Sequence, residues 1–204
     1  MVSKTFLTPE QYLEMERKAE VRSEYYRGEM FAMHGGTGNH TMLSDNIIAL
    51  LRPELRGGPC RAYSQNMRVL VGVTGLYTYP DIVVACGEKK FLDARQDTLL
   101  NPILVIEILS ESTEAYDRGR KFSHYRTIES FQEYVLVSQD EVLVERYLRT
   151  GDWPLTEAKR LEDSVELESV GCSLLLADIY EDVNPQPEPP ETGPLTRPGS
   201  ARRD

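Results

Sequence analysis

Cysteine is scarce in this 204-residue chain: Cys60, Cys86 and Cys172 stand far apart, with no CxxC pair. That spacing offers no zinc ligand set and no disulfide framework, and an odd count suits small buried thiols in a reducing compartment. Positive charge is scarce too. Lys and Arg total 23 against 33 Asp and Glu, a formal net charge of -10 and a pI near 4.9. A protein that covers much duplex DNA with Lys and Arg is ordinarily basic, because phosphate neutralisation drives affinity. Nucleic acid therefore requires basic side chains clustered locally, or metal ions. Long apolar runs are missing: the relevant stretch, 103–109, is interrupted by Glu107 and falls far short of the roughly 18–20 residues of a membrane span. The first residues turn acidic before any signal-peptide core develops, so the expected location is the cytoplasm, with no membrane partner.

Several catalytic signatures are also absent. GGTGNH (35–40) is followed by no GK[ST] and fails the dinucleotide fingerprint at its last glycine; there is no GxSxG; His34 and His40 form no HExxH. P-loop, serine-hydrolase and zinc-protease chemistries fall away.

What is present reads as one folded domain with a tail. The length suits one domain, and 40% apolar residues suffice for a core. From position 184 the composition shifts: 184–204 holds six of the twelve prolines and almost no large apolar side chain. A segment of that kind buries too little surface to offset ordering entropy, so the expected division is a domain over 1–183 and a disordered Pro-rich tail over 184–204.

Thr8 followed by Pro9 predicts a helix start, continuing to about Glu20. The stretch 24–33 reads as a strand pair bent at Gly28, and 39–55 as a second helix with Met42, Leu43, Ile47, Leu50 and Leu51 at helical spacing. Alternation over 61–73 predicts one strand with Met67, Val69, Val71 and Val73 on one face. The runs 81–86 and 103–109 are continuously apolar, the pattern of strands covered on both faces. A third helix over 116–128 and strands over 133–137 and 142–148 follow; 153–183 is less legible. The expected class is α/β (α+β), a central mixed sheet flanked by helices, with strands 68–73, 81–86, 103–109 and 133–137 together and a crossover helix between the last two.

Chemistry concentrates at a few residues. Glu107 lies inside ILVIEIL, where an uncompensated carboxylate costs several kcal/mol. It is either a strand-end acid that reaches solvent or pairs with an arginine, or a site residue at the lip of the sheet. Asp81 follows Pro80, which suits a strand start, and two carboxylates on adjacent strands supply the hard oxygens that Mg²⁺ selects. Lys121 lies on the next helix, with Asp117 and His124 on roughly the same face; a solvated basic face is the plainer reading. Glu24 is a surface acid or a fourth candidate. His40, at the start of the second helix, either contacts an anion or caps and packs.

EYYRGE (24–29), GGTGNHTMLSDNI (35–47), YPDIVV (79–84), VIEILSEST (105–113), DRGRKFSHYR (117–126) and EYVLV (133–137) together resemble the Uma family of restriction-endonuclease-like proteins, in order over about 5–182. The resemblance implies a PD-(D/E)XK nuclease core with its metal site at one end of the sheet. Asp81 matches the Asp of the PD element and Glu107 the acid of the (D/E)XK element. The lysine expected two residues after Glu107 is Leu109, and Lys121 matches the position from which this family supplies it. The implied activity is Mg²⁺-dependent cleavage of DNA, with Mn²⁺ as a substitute. Asp81 and Glu107 are the implied metal ligands, Glu24 completing the shell, and Lys121 acts on the attacking water or the developing charge. His40, Arg118 and Arg120 are the expected substrate contacts, with Arg126 also available, and a homodimer is the expected assembly. Two other classes stay open: a nuclease-fold binding or assembly module without useful cleavage, and a metal-dependent hydrolase of another phosphoester.

Overall fold

The structure, a computed structural model, describes residues 6–33 and 35–185. Helix α1 (Pro9–Glu16) starts as the Thr8-Pro9 pair predicts: the Thr8 hydroxyl accepts from Gln11 N–H while the Gln11 side chain accepts from Thr8 N–H, a reciprocal cap. Strands β1 (Ser23–Tyr26) and β2 (Glu29–Ala32) form an antiparallel hairpin. Their two-residue turn, Arg27-Gly28, has both φ angles positive, at 50° and 89°. After α2 (Gly38–Glu54) come β3 (Arg61–Ser64), β4 (Arg68–Val71), β5 (Leu76–Thr78), β6 (Ile82–Ala85), β7 (Thr98–Leu99) and β8 (Leu104–Leu109). A continuous helical stretch follows: α3 (Glu114–Tyr116), a π-helical turn (Asp117–Lys121) and α4 (Phe122–Tyr125). Strands β9 (Glu133–Ser138), β10 (Val144–Leu148), β11 (Leu155–Ala158), β12 (Ser164–Leu167) and β13 (Cys172–Leu175) and the short helix α5 (Leu176–Ile179) complete the chain.

The strands make a six-stranded mixed sheet in the order β11-β10-β9-β8-β6-β3, a five-stranded sheet in the order β2-β1-β5-β4-β7, and the β12–β13 hairpin. Strands β8 and β9 are parallel, as a crossover helix between them requires. Both faces of β8 are buried over all six residues. Leu104, Ile106 and Ile108 face α2 and meet Leu43, Ile47 and Leu51; Val105 and Leu109 face the other way, toward Val69 and Val71 of the second sheet and Phe122 and Tyr125 of α4. Alternation therefore sends Glu107 to the side of α4 and the second sheet. Each fully buried aliphatic or aromatic side chain contributes about 1.5–3 kcal/mol, and these two layers hold most of the core.

Two expectations are corrected. The stretch 61–73 is two strands: the chain turns at Gln65-Asn66, β3 joins β6 in the large sheet and β4 joins β5 in the other. Strand 68–73 therefore does not share a sheet with 81–86, and Val73 is 78% exposed. Two alternating strands separated by a polar pair look like one long strand when read by period alone. The cysteines are not all free either. Arg61 pairs with Ala85, which sets Cys60 opposite Cys86, and the two are disulfide-bonded; Cys172 is the buried free thiol. A separation of 26 residues hid a pair that antiparallel register brings together. The tail division at 184 lies, beyond Pro185, outside the described residues.

Candidate active site

Register builds the site. Ile82 pairs with Ile106 in the antiparallel β6–β8 ladder, so Asp81, just before β6, and Glu107, within β8, fall opposite each other one step beyond the last pair. Pro80 gives β6 an entry with no N–H to place, and the carboxylate after it takes over part of the ladder. Ile108 N–H donates to Asp81 Oδ2 at 2.8 Å, and Asp81 N–H reaches Glu107 Oε2 at 3.4 Å. The acid in the apolar run is thus neither at a frayed end nor paired with an arginine.

The crossover helix supplies the cation. Lys121 Nζ lies 2.9 Å from Glu107 Oε1, 3.2 Å from Asp117 Oδ1 and 3.8 Å from Glu24 Oε1. The π-helical turn carries Asp117 and Lys121 at its two ends and both are buried, a local distortion of the kind that π-bulges bring to functional sites. Tyr125, one turn on, donates to Glu107 Oε1 at 2.9 Å. Leu109, two residues after Glu107, is buried in the apolar layer, and the ammonium beside Glu107 comes from the helix rather than from the strand.

Burial pushes the Glu107 carboxyl well above the usual range; Lys121 pulls it back, but Asp117 and Asp81 push the same way as burial. For Lys121, burial favours the neutral amine, yet Glu107 and Asp117 outweigh it and hold the ammonium well above its ordinary value. The site is a buried ion cluster with more acid than base.

His40 is brought in by α2. Thr37 caps that helix, its hydroxyl accepting from His40 N–H at 3.1 Å, and the imidazole Nε2 sits 3.3 Å from Asp81 Oδ1. Burial lowers its pKa, but the contact with Asp81 more than compensates and the net direction is up. Glu24, on β1, accepts from the Thr78 hydroxyl and faces Lys121 rather than joining Asp81 and Glu107. These groups line one cleft of about 280 Å³, rimmed by Phe31 and Gln139.

Among the expected substrate contacts, Arg118 is ion-paired with Glu114 and with the buried Glu145, so its guanidinium is engaged within the protein. Arg120 points to a separate cavity beside Arg27, and Arg126 lies over the Phe122 ring. Asp117 and Tyr125 were not singled out from the sequence as site residues. The i, i+4 spacing of Asp117 and Lys121 was a usable signal for the first; Tyr125 read only as core.

Could these residues hold a metal ion? Among the described residues no three His, Cys, Asp or Glu side chains form a ready cluster. What faces the cleft is the Asp81–Glu107 pair, with Asp117 buried behind it, its Oδ1 facing the Lys121 ammonium at 3.2 Å. Four carboxylates (Glu24, Asp81, Glu107, Asp117) stand against one ammonium and one imidazole, so the cleft is short of positive charge. An all-oxygen set with only one or two carboxylates suits a hard divalent cation that keeps most of its waters. The residues fit.

Comparison with known proteins places the chain in a family. Residues 9–177 match the family model described as "Uma2: Putative restriction endonuclease". The chain belongs to the Uma2 family. Two uncharacterized proteins of Synechocystis sp. are similar: one is 36% identical over 177 residues, covering 85% of this chain and 91% of the relative, and another 37% over 164 residues, covering 79% and 92%. A crystal structure from Anabaena variabilis, described as a putative nuclease belonging to DUF820, superposes with a TM-score of 0.71 at 19% identity, over 85% of this chain and 97% of that one. At that identity the likeness speaks for the fold. The Uma2 chain described here has the restriction-endonuclease-like mixed α/β architecture expected from the resemblance. No helix among the described residues is long and apolar enough to cross a membrane.

Proposed function

We propose that this Uma2 protein is a Mg²⁺-dependent endonuclease that hydrolyses phosphodiester bonds of DNA, Mn²⁺ serving as a substitute. The observation that carries the reading is the opposition of Asp81 and Glu107 on adjacent strands, with the Lys121 ammonium 2.9 Å from Glu107, inside one cleft of a family described as "Putative restriction endonuclease". Asp81 and Glu107 hold the metal. A bound Mg²⁺ lowers the pKa of its water and stabilises charge on the reacting phosphoryl group.

The protein's own groups do the rest. Lys121, kept charged by its acidic neighbours, offers a fixed N–H donor where negative charge develops, the arrangement that stabilises a transition state more than a ground state. Asp117 and Tyr125 orient it: Asp117 by the second contact to Nζ, Tyr125 by fixing Glu107 Oε1. Glu24 adds to the acidic wall and steers the same ammonium. His40 holds Asp81 from the open side, where its imidazolium also suits a substrate phosphate. The overall charge of -10 does not oppose this, since the metal supplies the positive charge that the cleft lacks. A homodimer and a cytoplasmic setting belong to the same proposal: two single-site copies address two strands.

The test is cleavage of plasmid DNA by the purified protein in Mg²⁺, Mn²⁺ and EDTA, beside Asp81→Asn, Glu107→Gln and Lys121→Met. Cleavage that needs the metal and all three side chains supports the reading. Metal-independent cleavage, or cleavage by Asp81→Asn at the wild-type rate, overturns it.

A further inference from the structure

A second cavity, of about 360 Å³, lies beside the first and is lined by Tyr26, Arg27, Thr74, Arg120, Ser123 and His124. It is one strand step and one helical turn along from the acidic cluster. Glu24 and Tyr26 are two residues apart on β1, roughly 6–7 Å on the same face. Lys121, which meets Glu24, and His124, whose ring is 4.9 Å from that of Tyr26, are one turn apart. Acid and metal chemistry thus give way, over one short step, to two arginines and a histidine.

The cations at this cavity are uncommitted. Neither the Arg27 nor the Arg120 guanidinium has a hydrogen-bond or ion-pair partner among the described residues; Arg27 lies over the Tyr26 ring at 5.1 Å. This contrasts with Arg17, Arg68, Arg118 and Arg146, all held by carboxylates. Burial is the main cause that pushes the His124 pKa down; Arg120 and Arg27 add to it and Glu24 opposes them, so both arginines act on this ring. The backbone adds an independent sign. Arg27 occupies the first position of a two-residue hairpin turn at φ 50°, where Asn, Asp or Gly is the favoured residue. An arginine there is chosen against turn chemistry, which points to a role for its side chain.

We infer that Arg27, Arg120 and His124 form a phosphate-binding subsite, which holds a backbone phosphate of the strand whose scissile bond lies at Asp81 and Glu107. The inference rests on the nuclease reading for its ligand, and the two are separable by experiment. Guanidinium groups suit a phosphate through paired N–H donors, and their release of counterions makes the binding salt-dependent. The subsite also answers the charge problem of an acidic protein: its positive charge is concentrated on one step of the strand rather than spread over a surface.

The experiment compares Arg27→Asn, Arg120→Gln and their double variant with wild type and with Arg56→Gln, an equal charge change just beyond the far end of α2. Binding of a fluorescent DNA oligonucleotide, with Ca²⁺ in place of Mg²⁺, is followed as salt is varied, and thermal melts check the fold. Inorganic phosphate is titrated separately while the His124 ring resonances are followed by NMR. Arg27→Asn is expected to melt at or above the wild-type temperature, since the turn prefers Asn. The double variant is expected to bind DNA at least about 10-fold more weakly, with the salt slope reduced by about 2, one for each arginine withdrawn from the phosphate. Affinity and slope equal to those of Arg56→Gln overturn the subsite. If wild type binds no DNA, the nuclease reading fails by itself; a saturable phosphate shift at His124 that vanishes in the double variant then supports the anion site, and no shift overturns it.

Discussion

Replacing Lys121 by Met removes the ammonium around which the acidic cluster is arranged, with little change in volume. At an effective dielectric near 20, its attractions to Glu107 (2.9 Å), Asp117 (3.2 Å) and Glu24 (3.8 Å) are gross terms of about 6, 5 and 4 kcal/mol. Desolvation of the buried ammonium and repulsion among the acids offset much of this. What a single removal leaves, buried carboxylates without a counter-charge, costs about 3–5 kcal/mol. For a domain of this size that is a fall in Tm of roughly 6–20 °C in EDTA. Glu107→Gln is expected to behave differently. The amide oxygen still accepts from Tyr125 and Lys121, one of the crowded acids disappears, and Lys121 keeps Asp117. Its metal-free stability is expected within about 1 kcal/mol of wild type, because relief of desolvation and repulsion balances the lost pair.

Magnesium separates the two variants further. Stabilisation by a ligand that binds only the folded state grows with its concentration over Kd, so wild type gains Tm with Mg²⁺. Lys121→Met is expected to gain more, a dication replacing the missing charge, and Glu107→Gln to gain nothing. Calorimetric melts of the three proteins, with EDTA and with millimolar Mg²⁺, read all of this. Lys121→Met as stable as wild type in EDTA refutes the picture of an ammonium-centred cluster. A large loss in Glu107→Gln, with no Mg²⁺ effect on wild type, makes Glu107 a structural ion-pair partner and refutes the metal site.

Other outcomes are expected. Arg118→Ala leaves the buried Glu145 without its cation and should cost about 1–3 kcal/mol in a thermal melt, while leaving the salt slope of DNA binding unchanged. The paired N–H donors of Arg17, with Arg68 nearby, hold the Asp97 carboxyl down at about 2 from 3.8. Its stabilisation is therefore complete above pH 3.8 and lost as the pH falls toward 2. Discounted for exposure, Asp97→Asn should cost about 1 kcal/mol at neutral pH and almost nothing at pH 2, as urea melts at the two pH values can show. Reduction of the Cys60–Cys86 bond, which spans 26 residues, should cost about 3.5 kcal/mol by loop entropy, read as a drop in Tm of roughly 7–14 °C with dithiothreitol; an unchanged Tm, with both thiols titratable, would count against it.

The legible parts of this fold were those in which residue type and period agree. Thr8-Pro9 marks a helix start, the run around Glu107 marks a doubly covered strand, and the Pro-Asp before β6 marks a strand entry; each is local. Of the candidate site residues, Glu107 stood out because it breaks a local rule, an acid in an apolar run; Asp81 and Lys121 stood out by their places beside it and by the family resemblance. What joins them is register and crossover geometry, which no local pattern carries. The same limit hid the Cys60–Cys86 pair and merged β3 with β4, since period 2 cannot say which sheet a strand joins. Arg118 shows another limit. Three arginines within 118–126 look equally available in sequence, yet Arg118 is neutralised within the protein by Glu145, a residue from β10 that only the folded sheet brings near.

The measurement that bears most directly on the central claim is single-turnover cleavage of supercoiled plasmid by wild type and by Asp81→Asn, each verified as folded, with Mg²⁺ and with EDTA. Asp81 is chosen because its hydrogen bond from Ile108 N–H can be kept by the asparagine carbonyl, so the variant loses charge rather than structure. The account predicts nicked and linear products from wild type in Mg²⁺, none in EDTA, and a loss of at least about 10³-fold in Asp81→Asn, several kcal/mol of transition-state stabilisation. Equal cleavage by the two proteins, or no cleavage by wild type with any divalent metal, contradicts it.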